Sequence, residues 1–167
     1  MVMGMNNPLQ TSKVRITARL DNNLQNVPAL MSEYEEVLDQ LEADDYFTLT
    51  DKSLMDMHRD YASIFLRFKT KLTELDVIYD FVQTERNKIR SGLWKRYTEG
   101  YSRALTDRQI ERYIEGEDEY LTMHKILLEV SYLRNQFRDR CETLDKMSFR
   151  LKDFTTLQVE GMKLAVM

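Results

Sequence analysis

Residues 29–91 contain neither glycine nor proline, and the same is true of residues 117–160. Glycine and proline supply most of the sharp reversals a chain makes. A sequence that lacks them over two such lengths cannot build the short, frequently turned strands of a β-sandwich or barrel. The five glycines and two prolines of the 167-residue chain amount to about 4% of it, against the usual ~12%. No two glycines stand closer than Gly92 and Gly100, so a glycine-rich phosphate loop is also excluded. What remains is an all-α chain: two long helical arms joined by a turn near residues 98–108.

The apolar spacing supports those arms. The first carries Leu54, Met57, Tyr61, Ile64, Phe68, Leu75, Ile78 and Val82, a heptad seam that skips a position near Lys71. The second carries Tyr120, Met123, Leu127, Val130, Phe137, Cys141 and Leu144, skipping one near Arg134. Phe65, Leu72, Ile126 and Leu133 widen both stripes, as suits a helix with more than one neighbour. A helix over residues 52–97 would be roughly 70 Å long. That length is too great for one partner arm to cover, so the arms predict self-association. Thr50 or Asp51 is placed to cap the first arm, and Glu117, Asp118 and Glu119 put acids at the start of the second. Gly161 is expected to end it. Ahead of the hairpin, Val14, Ile16, Ala18 and Leu20 alternate and predict one strand in 11–20, and a helix is expected from about 29 to 43, after Pro28. Residues 1–38 then read as an N-terminal extension and 39–167 as the helical domain.

The function classes narrow by subtraction. Cys141 is the only cysteine and His58 and His124 the only histidines. That leaves no disulfide framework, no thiolate zinc site and no paired-histidine metal spacing. Cys141 falls on the seam and is expected as a buried, inert thiol. The histidines are expected at surface or boundary positions. Asp44-Asp45 falls short of a Mg²⁺ site, which needs further carboxylates and a substrate phosphate. No cofactor or metal is expected, and the chain reads as a non-enzyme. It has no apolar core of a signal peptide and no membrane-length run, so a soluble, intracellular protein is expected.

Charge is unevenly spread. The chain has a formal net charge of −4. Residues 33–60 carry ten acids against Lys52 and Arg59, while residues 85–108 carry seven bases against Glu85, Glu99 and Asp107. Trp94, Tyr97 and Tyr101 lie among those bases. Cations that track phosphates, interleaved with aromatic faces on which bases stack, form the pattern of a single-strand binding site. The candidates are Arg86, Lys88, Arg90, Lys95, Arg96 and Tyr97. At helical spacing Arg86, Arg90 and Tyr97 share one face, and Lys88 and Lys95 share another. The other reading of the segment is a solvated face with its Trp and Tyr in the core, the place expected for Trp94.

Over residues 40–160 the chain resembles the UvsY family of phage recombination mediators. Four stretches carry the resemblance: Asp44-Asp45-Tyr46-Phe47 with Thr50-Asp51-Lys52-Ser53-Leu54; Arg96-Tyr97-Thr98-Glu99-Gly100; Tyr113-Ile114-Glu115-Gly116-Glu117-Asp118-Glu119-Tyr120; and Ser148-Phe149-Arg150-Leu151-Lys152-Asp153-Phe154. They match, in order and spacing, that family's acidic-aromatic opening, its aromatic-Gly turn, its second helix start and its C-terminal element. Residues 1–38 exceed the family's usual length, and only Lys95 and Arg96 stand close before the aromatic-Gly turn. The resemblance implies binding to single-stranded DNA coated by a single-strand-binding protein, and help to a RecA-like recombinase in displacing that coat. It implies a ring-like homo-oligomer, of six to eight subunits, acting in the host cytoplasm during phage infection and away from membranes. Leu144, Leu151, Phe154, Leu157 and Leu164 offer apolar area for the contacts between subunits. An oligomeric helical adaptor without nucleic acid is the competing expectation.

Overall fold

A computed structural model of the chain describes residues 8–21, 23–43, 54–100 and 105–165. The described residues are all-α. In chain order the helices are α1 (Pro8–Leu20), α2 (Asn26–Ala43), α3 (Leu54–Gly100), α4 (Asp107–Gly116) and α5 (Asp118–Ala165). Helices α3 and α5, of 47 and 48 residues, form the long hairpin. Their antiparallel register is fixed by Phe68 against Phe137, Asp76 against Arg134 and Tyr97 against Glu117.

The hairpin seam follows the heptad spacing. Ile64, Phe68, Leu75, Ile78 and Val82 are buried against Met123, Leu127, Val130, Phe137, Cys141 and Leu144. Leu72 and Leu133 fill the two skipped positions, so the stripes are continuous where the stricter spacing leaves gaps. Burial pushes the Cys141 thiol up, which keeps it protonated and inert as expected. Gly92 lies within α3, where an added Cβ would meet nothing. Gly161 lies within α5, which continues to Ala165, so the helix end expected at Gly161 is not there. The caps expected at Thr50 or Asp51 lie outside the described residues.

The N-terminal region departs most from expectation. Residues 11–20, read as a strand, belong to helix α1. The buried positions are Ser12, Ile16 and Leu20, four residues apart, while Val14 is 67% exposed. The apolar alternation is thus incidental to a helical face. Asp21, with φ at 45°, ends α1 in the left-handed region that aspartate tolerates. Asn26 Nδ2 donates to the freed carbonyls of Arg19 and Leu20, at 3.2 Å each, and the Asn23 side chain accepts from Gln25 N–H at 3.0 Å. These bonds make the tight turn into α2. Helix α2 begins at Asn26 and runs through residue 38 without a break. Ile16, Leu20, Val27, Leu30, Tyr34 and Leu38 join the same core as the hairpin. The expected boundary at residue 38 falls inside α2, and α1, α2 and the hairpin share one core.

One polar group locks these helices onto the hairpin. The buried carboxylate of Glu74 on α3 accepts hydrogen bonds from Ser12 on α1, from the Tyr34 hydroxyl on α2 at 2.7 Å and from Lys71 at 2.9 Å. The Lys71 ammonium also sits 5.1 Å over the Tyr34 ring. Burial acts to raise the Glu74 pKa, but the donors from Ser12, Tyr34 and Lys71 outweigh it and hold the carboxyl below its ordinary value. Burial and the bond to Glu74 push the Tyr34 phenol up. A depressed carboxyl stabilises the fold above its unfolded-state pKa, about 4.3, and that contribution is lost as pH falls through the lower folded value. Urea titrations across pH 2–7 are expected to show this loss of stability below pH 4. Glu74→Gln should cost about 1.5–3 kcal/mol at neutral pH, the range for hydrogen bonds to a charged group, and should flatten the acid limb. An acid limb identical in the variant would show that Glu74 is not the group responsible.

Candidate nucleic-acid interface

The candidate bases occupy the last four turns of α3, where a second small core closes the hairpin. Thr106 precedes α4, and the Gln109 side chain accepts from its N–H at 3.0 Å. This bond fixes a ten-residue helix whose buried Ile110 and Ile114 pack on Leu93. Ile89, Trp94, Tyr97, Leu105 and Tyr120 surround that cluster. The turn expected at 98–108 therefore holds a short helix after it, and the second arm starts at Asp118.

The two faces of the basic segment have different fates. Arg90 and Tyr97 reach towards α4 and the residue after it, and Arg86 is half-buried. Arg90 forms an ion pair with Glu111. The Tyr97 hydroxyl donates to Glu117, and its ring stacks on Tyr113 at 5.4 Å. Arg86 Nε is buried, as is His124 Nδ1, and neither has a hydrogen-bond partner among the described residues. His124 is half-buried and lies parallel to the Tyr120 ring at 6.3 Å, a boundary position as expected. The His58 side chain lies outside the described residues. Tyr97 is thus engaged within the chain, and its ring is not a free stacking platform.

Lys88 and Lys95 lie on the outer face, two turns apart, with side chains 67% and 74% exposed. Arg96 flanks them and is 63% exposed. Their acidic neighbours are loosely held: Lys95 stands 4.0 Å from Glu99 and Arg96 stands 4.0 Å from Glu117. Lys88 pairs with Glu85 one turn away. Exposed pairs of this kind contribute ~0–1 kcal/mol, so a phosphate can displace them.

Folding also changes the charge balance of this end. The excess of bases along α3 meets Asp107, Glu111, Glu115, Glu117, Asp118 and Glu119. Across residues 85–100 and 105–120 there are eight acids and seven bases. The sequence segment is basic, whereas the folded end is nearly neutral with an outward-facing pair of lysines.

The side chains assigned to subunit contacts divide likewise. Leu144 is part of the hairpin core and Leu151 is 4% exposed. Both are buried within the chain itself, so neither presents apolar surface to another subunit in this conformation. Leu157 is 63% exposed. The side chains of Phe154 and Leu164 lie outside the described residues.

Trp94 is half-buried against Leu93, Ile110 and Ile114, in keeping with the expected core role. Trp94→Ala is expected to cost about 3 kcal/mol of stability, the lower end of the range for truncating a buried aromatic. Thermal and urea denaturation check this. A change below 0.5 kcal/mol would contradict the packing role.

The described residues hold no group of three or more His, Cys, Asp or Glu side chains able to hold a metal ion. No described helix is long and apolar enough to cross a membrane. The chain matches no protein-family model, and no curated protein or solved structure is detectably similar to it.

Proposed function

We propose that this chain is a recombination mediator that binds single-stranded DNA without catalysing a reaction. It helps a RecA-like recombinase replace a single-strand-binding protein on the strand. The observation that carries the reading is the exposed trio Lys88, Lys95 and Arg96 at the hairpin end, in a chain whose four sequence stretches resemble UvsY mediators. A near-neutral site binds a strand weakly as a single copy. A ring of copies repeats the trio along the strand, and multivalency then supplies affinity without a strongly basic subunit. Cations of this type track the backbone, so the reading carries little sequence preference.

The near balance of acids and bases at the same end favours a second reading, an oligomeric helical adaptor that does not bind nucleic acid. Sedimentation coupled to binding of a labelled single strand at moderate salt separates the two. The mediator sediments as a closed multi-subunit species that shifts the strand. An oligomer that ignores the strand is the adaptor, and a 20 kDa monomer that ignores it leaves neither.

A further inference from the structure

Helix α5 has two apolar faces. One, through Met123, Leu127, Val130, Leu133 and Phe137, is buried in the core. On the opposite side Leu121, Leu128 and Tyr132, at steps of seven and four, are 38%, 56% and 68% exposed. The same side continues into Asn135 and Asp139, so this second stripe is bounded. Lys125 and Glu129 flank it along one edge; both are exposed, and among the described residues neither forms an ion pair.

We propose that this outer face of α5 docks a second copy of this chain, antiparallel, about a two-fold axis level with residue 127. Self-pairing is singled out by the charges. A two-fold axis perpendicular to the helix keeps each flanking edge on the same side of the pair and reverses only the direction along it. Lys125 and Glu129 are each two residues from position 127, so each Lys125 falls level with Glu129 of the partner subunit, twice over. The same axis sets Leu128 beside Leu128 of the partner subunit and Leu121 beside Tyr132 of the partner subunit. All three exposed apolar side chains are covered by one operation. A lipid surface would leave Glu129 facing anionic headgroups, whereas the one axis that pairs the charges also covers the apolar side chains on either side of it. Residues 118–136 run along the shared face for about 28 Å. The contact pairs two copies; a ring of the mediator reading needs a second, head-to-tail surface beside it, and the pairing stands whether or not the chain binds DNA.

The test is sedimentation equilibrium of the full chain, without DNA, from low micromolar concentration upward. Leu128→Asp is expected to weaken self-association about a hundredfold or more, because it places two unpaired carboxylates at the centre of the contact. Its helical content should be unchanged, since the side chain is exposed. Lys125→Glu and Glu129→Lys should each weaken association about tenfold, turning two attractions into two repulsions. The double variant carrying both should recover the original affinity. Recovery in the double variant supports the self-complementary register. A folded Leu128→Asp chain that associates as tightly as the original overturns the docking face. A double variant no better than the single ones overturns the two-fold register. A chain that is monomeric throughout overturns the proposal outright, while strand binding, measured separately, judges the mediator reading on its own.

Discussion

Phe137→Ala is expected to cost about 3–5 kcal/mol, the range for removing a fully buried aromatic ring. Phe137 is 0% exposed. Its ring meets Tyr34 edge-on at 6.4 Å and Phe68 at 6.0 Å, so one side chain joins α2, α3 and α5. Truncation opens a cavity where three helices converge, and helices of this length relax little around it. The loss is a large part of the ~5–15 kcal/mol that holds a typical domain together. Phe149, 68% exposed on the same helix, is the matched control: Phe149→Ala should change stability by less than about 0.5 kcal/mol. Urea unfolding of both variants checks the contrast. A cost below 1 kcal/mol for Phe137→Ala would mean that the N-terminal helices do not share the hairpin core.

The features legible in the sequence are those set by local spacing. Two long helices, their seams and the burial of Cys141 all follow from the heptad spacing and the missing glycine and proline. Two things hid the rest. In residues 11–20 a period of two and a period of four coexist, because Ile16 and Leu20 satisfy both. Only the burial of the polar Ser12, and the exposure of Val14, separate them. Ser12 is buried because Glu74 lies opposite it, 62 residues away, and no local pattern reports that. The one sequence signal was Glu74 itself, an acid placed directly beside Leu75 on the apolar stripe.

The candidate interface was half legible for the same reason. Helical spacing sorted the bases into two sets, Arg86-Arg90-Tyr97 and Lys88-Lys95, but not into inner and outer. The acids that engage the first set, Glu111 and Glu117, come from α4 and the residue after it. They face α3 because Ile110 and Ile114 bury against Leu93. A sum of charges along one segment could not see that neutralisation. The apolar periodicity of residues 107–116 was the available clue that a further helix would fold back there.

The outward set makes the largest test of function. Reversing Lys88, Lys95 and Arg96 together to glutamate is expected to abolish most single-strand binding at moderate salt. These side chains are exposed, and their ion pairs contribute little to stability, so helical content and melting should be retained. The salt dependence is the sharper readout, because it counts ions displaced rather than affinity alone. Each phosphate contact to a single strand contributes about −0.7 to the slope of log affinity against log salt. If the trio supplies two contacts per subunit, its reversal flattens the slope by about 1.4 for each subunit engaged. Arg90→Glu makes the comparison internal. Arg90 is tied to Glu111 on α4 through an exposed pair like those of the trio, so its reversal should also leave melting nearly unchanged while changing the slope far less. The reverse pattern, with Arg90 controlling the slope and the trio silent, would place any strand on the α4 side of the hairpin end. A slope unchanged by all of these reversals would remove the basic segment as a nucleic-acid interface and leave the adaptor reading standing.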